Sequence, residues 1–157
     1  MKKAQKITDI TSGIYLIEFF ASKNFFAGIP RYQKVEFPKG YYYYAGSAQR
    51  NFSSRILRHV KKAKKVHWHI DHITTHADIE IKTIFLFPNR GRADECRLAQ
   101  TLEKDFGLIH KAKGFGSSDC NSCYSHFLYS KKNISYSHLF SLYQDIVRFS
   151  PSSKEIF

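Results

Sequence analysis

Two tyrosines, an arginine and a histidine set the first chemical expectation. Gly13-Ile14-Tyr15 and Tyr44-Ala45-Gly46 each place a tyrosine near a glycine, and Arg55-Ile56-Leu57-Arg58-His59 follows with helical periodicity. Arg55 and His59 are four residues apart, about one helical turn, so they share a face. Two phenols, a guanidinium and an imidazole brought to one point suit a phosphodiester, whose cleavage needs charge stabilisation and proton transfer together. Taken singly, each tyrosine reads equally well as packing on a sheet. The chain has ten, and Tyr41, Tyr42 and Tyr43 precede one of the candidates.

The charge points the same way. A formal net charge of +12 favours a polyanionic partner, nucleic acid foremost; a lysine-rich surface that only keeps the chain in solution is the plain alternative. Arg50, Arg55, Arg58, Lys61, Lys62, Lys64 and Lys65 all fall between positions 50 and 65, beside the tyrosine pair. Arg50, Arg58, Lys61, Lys62 and Lys65 are expected to contact nucleic acid, as are Ser47 and the loop residues Ser117 and Ser118. Phosphate contacts carry no base information, and no base-reading element separates DNA from RNA; DNA is the leading expectation.

These groups need a scaffold. Alternation predicts strands over 13–20, 32–37 and 41–45, arranged as an antiparallel meander with turns at 24–30 and 38–40. A helix capped by Asn51 or Ser53 and running to about Ala63 is anchored by Phe52, Ile56 and Val60, so Arg55 and His59 flank its buried stripe. A short helix over 68–76, a strand over 78–87 and a helix over 92–106 closed by Gly107 follow. On that last helix Glu95, Ala99, Leu102 and Phe106 share a face, so a carboxylate heads an apolar stripe. An acid in the first turn also simply complements the helix dipole. A core strand over 125–129 and an amphipathic helix over 135–149 complete the reading. The expected fold class is α/β in the broad sense, more strictly α+β: a small antiparallel sheet of three to four strands flanked by helices. Residues 1–130 would form one domain, and 131–157 a C-terminal helical appendage.

No apolar run approaches the roughly 20 residues of a membrane span, and the charged start of the chain does not read as a signal peptide. The expectation is a cytoplasmic protein with no membrane partner, in which Cys96, Cys120 and Cys123 are thiols or metal ligands rather than disulfides. Cys120, Cys123 and His126 are spaced as three ligands of a structural Zn²⁺, with His67, His69, His72 or His76 available as a fourth. Small buried apolar cysteines are the plain alternative, and Ser117, Ser118 and Asp119 equally suit substrate contacts from the same loop.

The ordered set Gly13-Ile14-Tyr15, Tyr44-Ala45-Gly46-Ser47-Ala48, Arg55-x-x-x-His59 and a later helical Glu95 resembles the GIY-YIG nuclease superfamily over roughly residues 12–110. Trp68-His69-Ile70-Asp71, Glu95-Cys96 and Gly114-Phe115-Gly116-Ser117-Ser118-Asp119-Cys120 extend the likeness, to about residue 129, toward an uncharacterised prokaryotic subgroup. Ala45 stands where the family name has isoleucine. The interval from Tyr15 to Tyr44 exceeds that of compact members, which an extra turn and strand over 24–37 would fill. The resemblance implies a three-stranded antiparallel core sheet and hydrolysis of nucleic acid with one divalent cation, Mg²⁺ or Mn²⁺, held by Glu95. It also implies that Arg55 holds the scissile phosphate and that Tyr15 or Tyr44 orients the water or takes its proton, with His59 assisting. A phenol with a pKa of about 10 would need lowering by Arg55, the metal or nearby lysines. The expected activity is that of a DNA endonuclease of repair or recombination. The alternative is a non-catalytic nucleic-acid-binding module on the same fold.

Overall fold

The strand that carries Tyr15 lies inside the sheet, and its neighbours explain why it is apolar along most of its length. In the computed structural model, which describes residues 6–117 and 122–151, β1 (Gly13–Ala21) pairs antiparallel with β2 (Gly40–Ala48) on one side and β3 (Ile79–Pro88) on the other. Further antiparallel strands are β4 (Ile109–His110), β5 (Phe127–Ser130) and β6 (Val147–Phe149), giving the order β4-β5-β2-β1-β3-β6. The helices are α1 (Phe52–Val60), α2 (His69–Thr74), α3 (Ala93–Phe106) and α4 (Tyr136–Leu142). The molecule is α+β.

Side chains alternate across a strand, and both faces of this sheet are covered. Tyr15, Ile17 and Phe19 enter one core with Phe52 and Ile56 of α1 and Ile70 and Ile73 of α2. Ile14 and Leu16 enter the other, with Leu98, Ala99 and Leu102 of α3 and Leu139 of α4. A strand buried on both sides reads as a near-continuous apolar run. The exception, Glu18, is buried but satisfied: it accepts hydrogen bonds from the Tyr43 hydroxyl at 2.6 Å and from the Tyr136 hydroxyl.

Four sequence expectations are corrected. The sheet has six strands rather than three or four, because β4 and β6 add short edges. Residues 32–37 do not form a strand of a meander. Pro30–Tyr32 is a 3₁₀ turn, and the segment closes on itself through an isolated Phe25–Phe37 bridge whose rings stack 5.1 Å apart, while the Tyr32 hydroxyl donates to the Lys113 carbonyl at 2.6 Å; the second neighbour of β1 is β3 instead. The C-terminal helix stops at Leu142, and the chain turns through Asp145 (φ 62°) into β6, which pairs Val147 with Leu86 and Phe149 with Ile84. Helix α1 also ends early, at Val60, where Lys64 Nζ donates to the carbonyls of Arg58 (2.8 Å) and His59 (3.1 Å). Orphan carbonyls at a helix C-terminus take such a cation readily. Among the described residues no helix is long and apolar enough to cross a membrane.

Candidate active site

The two tripeptides meet because Tyr15 lies directly opposite Gly46 in the β1–β2 register. The tyrosine ring lies across that glycine: a Cβ at position 46 would run into Tyr15 Cζ, Oη and Cε2. Thus Gly46 is what lets the phenol cross the strand. On the far side its hydroxyl is 2.7 Å from His59 Nε2, inside the protein. Asn51, in the left-handed region at φ 52°, turns the chain from β2 into α1, a conformation that asparagine tolerates. Its side chain makes no capping bond. Burial of Phe52 and Ile56 then fixes α1 so that Arg55 reaches back to β2 and donates from Nη1 to the Ser47 carbonyl at 2.7 Å. Tyr44 sits 6.4 Å from the Tyr15 ring and 6.2 Å from His59, centroid to centroid. Gly116, at φ 72°, makes room for it, since a Cβ there would come within 2.8 Å of Tyr44 Cε2.

Glu95 joins from the first turn of α3, its Oε1 2.7 Å from His126 Nδ1. Tyr15, Tyr44, Arg55, His59 and Glu95 all line one cleft of about 1240 Å³, together with Ser47, Trp68, Ser117 and His126. Small-molecule sites run to roughly 300–1,000 Å³, so this cleft has the size for part of a polymer.

The electrostatics differ from the sequence expectation. Burial, then the neighbouring Tyr44, push the Tyr15 phenol well above its ordinary value, although Arg55 pulls the other way. Burial and Glu95 push Tyr44 up likewise. His59 is pushed down to about 3, first by burial and then by the charges of Lys64, Arg58 and Arg55. At neutral pH it is an uncharged imidazole, and its Nδ1 has no hydrogen-bond partner among the described residues. The phenols are therefore not made acidic by the protein alone, and the imidazole is not poised near neutrality.

The basic cluster divides. Arg50, Lys61 and Lys65 are exposed and lie outside the cleft lining. Arg58 instead forms a two-pronged ion pair with Asp71, at 2.7 Å for both contacts. Lys62 Nζ donates to the Ile79 carbonyl at 2.5 Å and to that of His76. Arg58 and Lys62 therefore hold α1 and α2 in place, where the sequence suggested nucleic-acid contacts. Ser47 and Ser117 do line the cleft; Ser118 and Cys120 lie outside the described residues. Sequence reasoning did not assign roles to Asp71 and Trp68, although both lie in the Trp-His-Ile-Asp stretch. Asp71 is fully buried, and besides Arg58 it accepts the His67 and Trp68 amides at 2.9 Å each. Nor did the sequence link His126 to Glu95.

Two places bear on metal binding, a lone carboxylate and one cluster of donors. Glu95 is a carboxylate in a cleft whose field already reaches both phenols. One such ligand suffices for Mg²⁺, which keeps several waters and takes substrate phosphate oxygens. Cys96, Cys123 and His126 form the cluster, with donor atoms within 4.8 Å of one another. Here Cys96 and Cys123 are joined as a disulfide, Cα to Cα 6.1 Å, where the sequence suggested thiols or ligands. Among the described residues His67, His69, His72 and His76 do not join that set.

Residues 14–148 match the model of the family described as domain of unknown function DUF123. The match spans more than half of the sequence, and the chain belongs to that family. No curated protein and no solved structure matches it.

Proposed function

We propose that this member of the DUF123 family is a metal-dependent endonuclease that hydrolyses phosphodiester bonds of nucleic acid, with DNA of repair or recombination as the leading substrate. One observation carries the reading: Tyr15, Tyr44, Arg55, His59 and Glu95, from β1, β2, α1 and α3, line a single cleft. The sequence resemblance to GIY-YIG nucleases assigns chemistry to those five positions, and the +12 charge suits the substrate.

In this reading Arg55, oriented by the Ser47 carbonyl, binds two oxygens of the scissile phosphate with its planar fork. Glu95 would hold a divalent ion, Mg²⁺ or Mn²⁺, which would supply charge stabilisation for the reaction. Water attacks phosphorus as the P–O bond to the leaving oxygen breaks; that oxygen leaves with the bonding electrons and takes a proton from solvent. The water's proton passes to Tyr15 Oη while the hydroxyl proton of Tyr15 passes to His59 Nε2, across the 2.7 Å contact. Burial depresses His59 most, and the charges of Lys64, Arg58 and Arg55 add to it; an anionic phosphate would offset the charge part and so make the imidazole a better acceptor. The Cys96, Cys123 and His126 set is a Zn²⁺ site when its sulfurs are reduced, supported by their convergence within 4.8 Å.

The test is nicking of supercoiled plasmid and of flap, junction and abasic substrates with Mg²⁺ or Mn²⁺, against EDTA, Glu95→Ala and Arg55→Ala. Metal-dependent cutting lost in both variants supports the nuclease. No cutting of any substrate, with binding intact and unchanged in Glu95→Gln, makes the protein a binding module instead.

A further inference from the structure

Trp68 is the chain's one tryptophan, and it is the exposed aromatic of the cleft. Among the described residues the cleft is lined by three tyrosine or tryptophan rings: Tyr15 is buried, Tyr44 is partly buried, and Trp68 keeps 42% of its surface exposed. Its position is fixed from beneath the main chain. The buried Asp71 carboxylate accepts the Trp68 amide and the His67 amide, and both carboxylate oxygens are held by Arg58. The Arg58 guanidinium then lies 4.3 Å from the centre of the indole ring and that of Arg55 lies 5.1 Å from it. A ring braced by a buried ion pair loses little entropy when it takes a partner.

From these contacts we infer that Trp68 is a stacking platform for an unpaired nucleobase, so that the cleft selects a single-stranded or frayed nucleotide beside the bond to be cut. The inference rests on the nuclease reading and narrows its substrate. Arg55 is the link between the two: the guanidinium that is to hold the phosphate is also in contact with the indole. A phosphate at Arg55 brings the base of its own nucleotide, or of the next, to the ring. Inside a duplex both faces of a base are covered by its neighbours, and a protein ring reaches one only after the base has left the stack. Stacking is tolerant of sequence because every base has a π-face, which agrees with the lack of a base-reading element in the chain.

A lone tryptophan makes the test direct, since all indole fluorescence comes from this position. Wild-type protein in EDTA, where no cleavage occurs, is titrated with oligothymidylate, with an abasic oligodeoxynucleotide of equal length and charge, and with a blunt duplex. The expected result is quenching and tight binding with oligothymidylate, with weaker binding and little quenching for the abasic strand and the duplex. Trp68→Ala should lose roughly 10- to 100-fold in affinity for oligothymidylate and nothing for the abasic strand, while Trp68→Phe keeps most of the preference. Equal binding of the bare and base-bearing strands by wild-type protein overturns the platform and leaves the nuclease untouched. Failure of every nucleic acid to bind or be cut overturns the nuclease reading itself, and the platform with it.

Discussion

The Tyr15 hydroxyl and the His59 imidazole are 2.7 Å apart in the interior, joined across β1 and α1. Neither is a good base by itself, the phenol being raised by burial and the imidazole lowered to about 3. In the proposed relay the phenol takes one proton as it gives up another, so Tyr15 never becomes a phenolate and the charge falls on His59, where the anionic phosphate would compensate it. Tyr15→Phe keeps the ring on Gly46 and removes only the oxygen. Cleavage should fall by about 10²–10⁴-fold, with nucleic-acid affinity within a few fold of wild type. Single-turnover cleavage rates and binding isotherms on the same substrate check both halves; unchanged cleavage would remove Tyr15 from the reaction.

Gly46 carries a separate expectation. Its missing side chain is the space that Tyr15 fills, so Gly46→Ala forces the ring, and with it the hydroxyl, away from His59. Overpacking of this kind costs about 1–3 kcal/mol. Denaturant unfolding should show that loss, and cleavage should drop to near the Tyr15→Phe level. An alanine variant with full activity would mean that the ring position does not matter.

The part of the site readable in the sequence is the part where backbone geometry dictates residue type. A glycine must face the phenol across two strands, and Arg55 and His59 must be one turn apart. Such demands leave a motif. The role of the cations was not readable, because a guanidinium looks the same whether it meets phosphate or Asp71. Arg58 and Lys62, which the charge pattern assigns to nucleic-acid contact, also hold a buried carboxylate and a backbone carbonyl. The edge strands were hidden for another reason. Two residues in β4 and three in β6 are too few to show a period. Moreover, Leu139, Leu142, Tyr143, Ile146 and Val147 fall at helical spacing although the chain leaves the helix at Leu142.

Stability should fall in acid in two separable steps. His59 has a folded value of about 3 against about 6.5 unfolded, so between those pH values the unfolded chain binds a proton that the folded chain refuses. Stability therefore declines as pH drops below about 6.5. Burial alone would raise the Asp71 carboxyl, but hydrogen bonds from Arg58 and the Trp68 and His67 amides hold it well below the carboxylate range. Its stabilising contribution is complete above the unfolded value of about 4 and is lost as pH falls through the lower folded one. Urea melts from pH 8 to about pH 2 should show the His59 slope alone between about 6.5 and 4 and the Asp71 slope added below about 4. His59→Leu should flatten the upper slope and Asp71→Asn the lower. At pH 7 Asp71→Asn should itself cost about 2–3 kcal/mol, less than a fully buried pair because Arg58 is a quarter exposed. A melt free of pH dependence above pH 4 would rule out the buried neutral imidazole.

The sulfur pair beside the cleft makes the last prediction. As a disulfide, Cys96–Cys123 ties the first turn of α3, next to Glu95, to the segment that carries His126. Neither sulfur can then act as a thiolate ligand. Reduced by a dithiol, the two thiolates and the imidazole supply three of the four tetrahedral positions that Zn²⁺ prefers, with water or a further side chain in the fourth. With Glu95 Oε1 2.7 Å from His126 Nδ1, Nε2 would be the nitrogen left for the zinc. Reduced protein dialysed against zinc should retain close to one ion per chain. Oxidised protein, and Cys123→Ser in either state, should retain far less. Zinc retention by the oxidised chain would place the ion elsewhere, and no retention by the reduced chain would leave the cysteines as a structural link between α3 and the His126 segment.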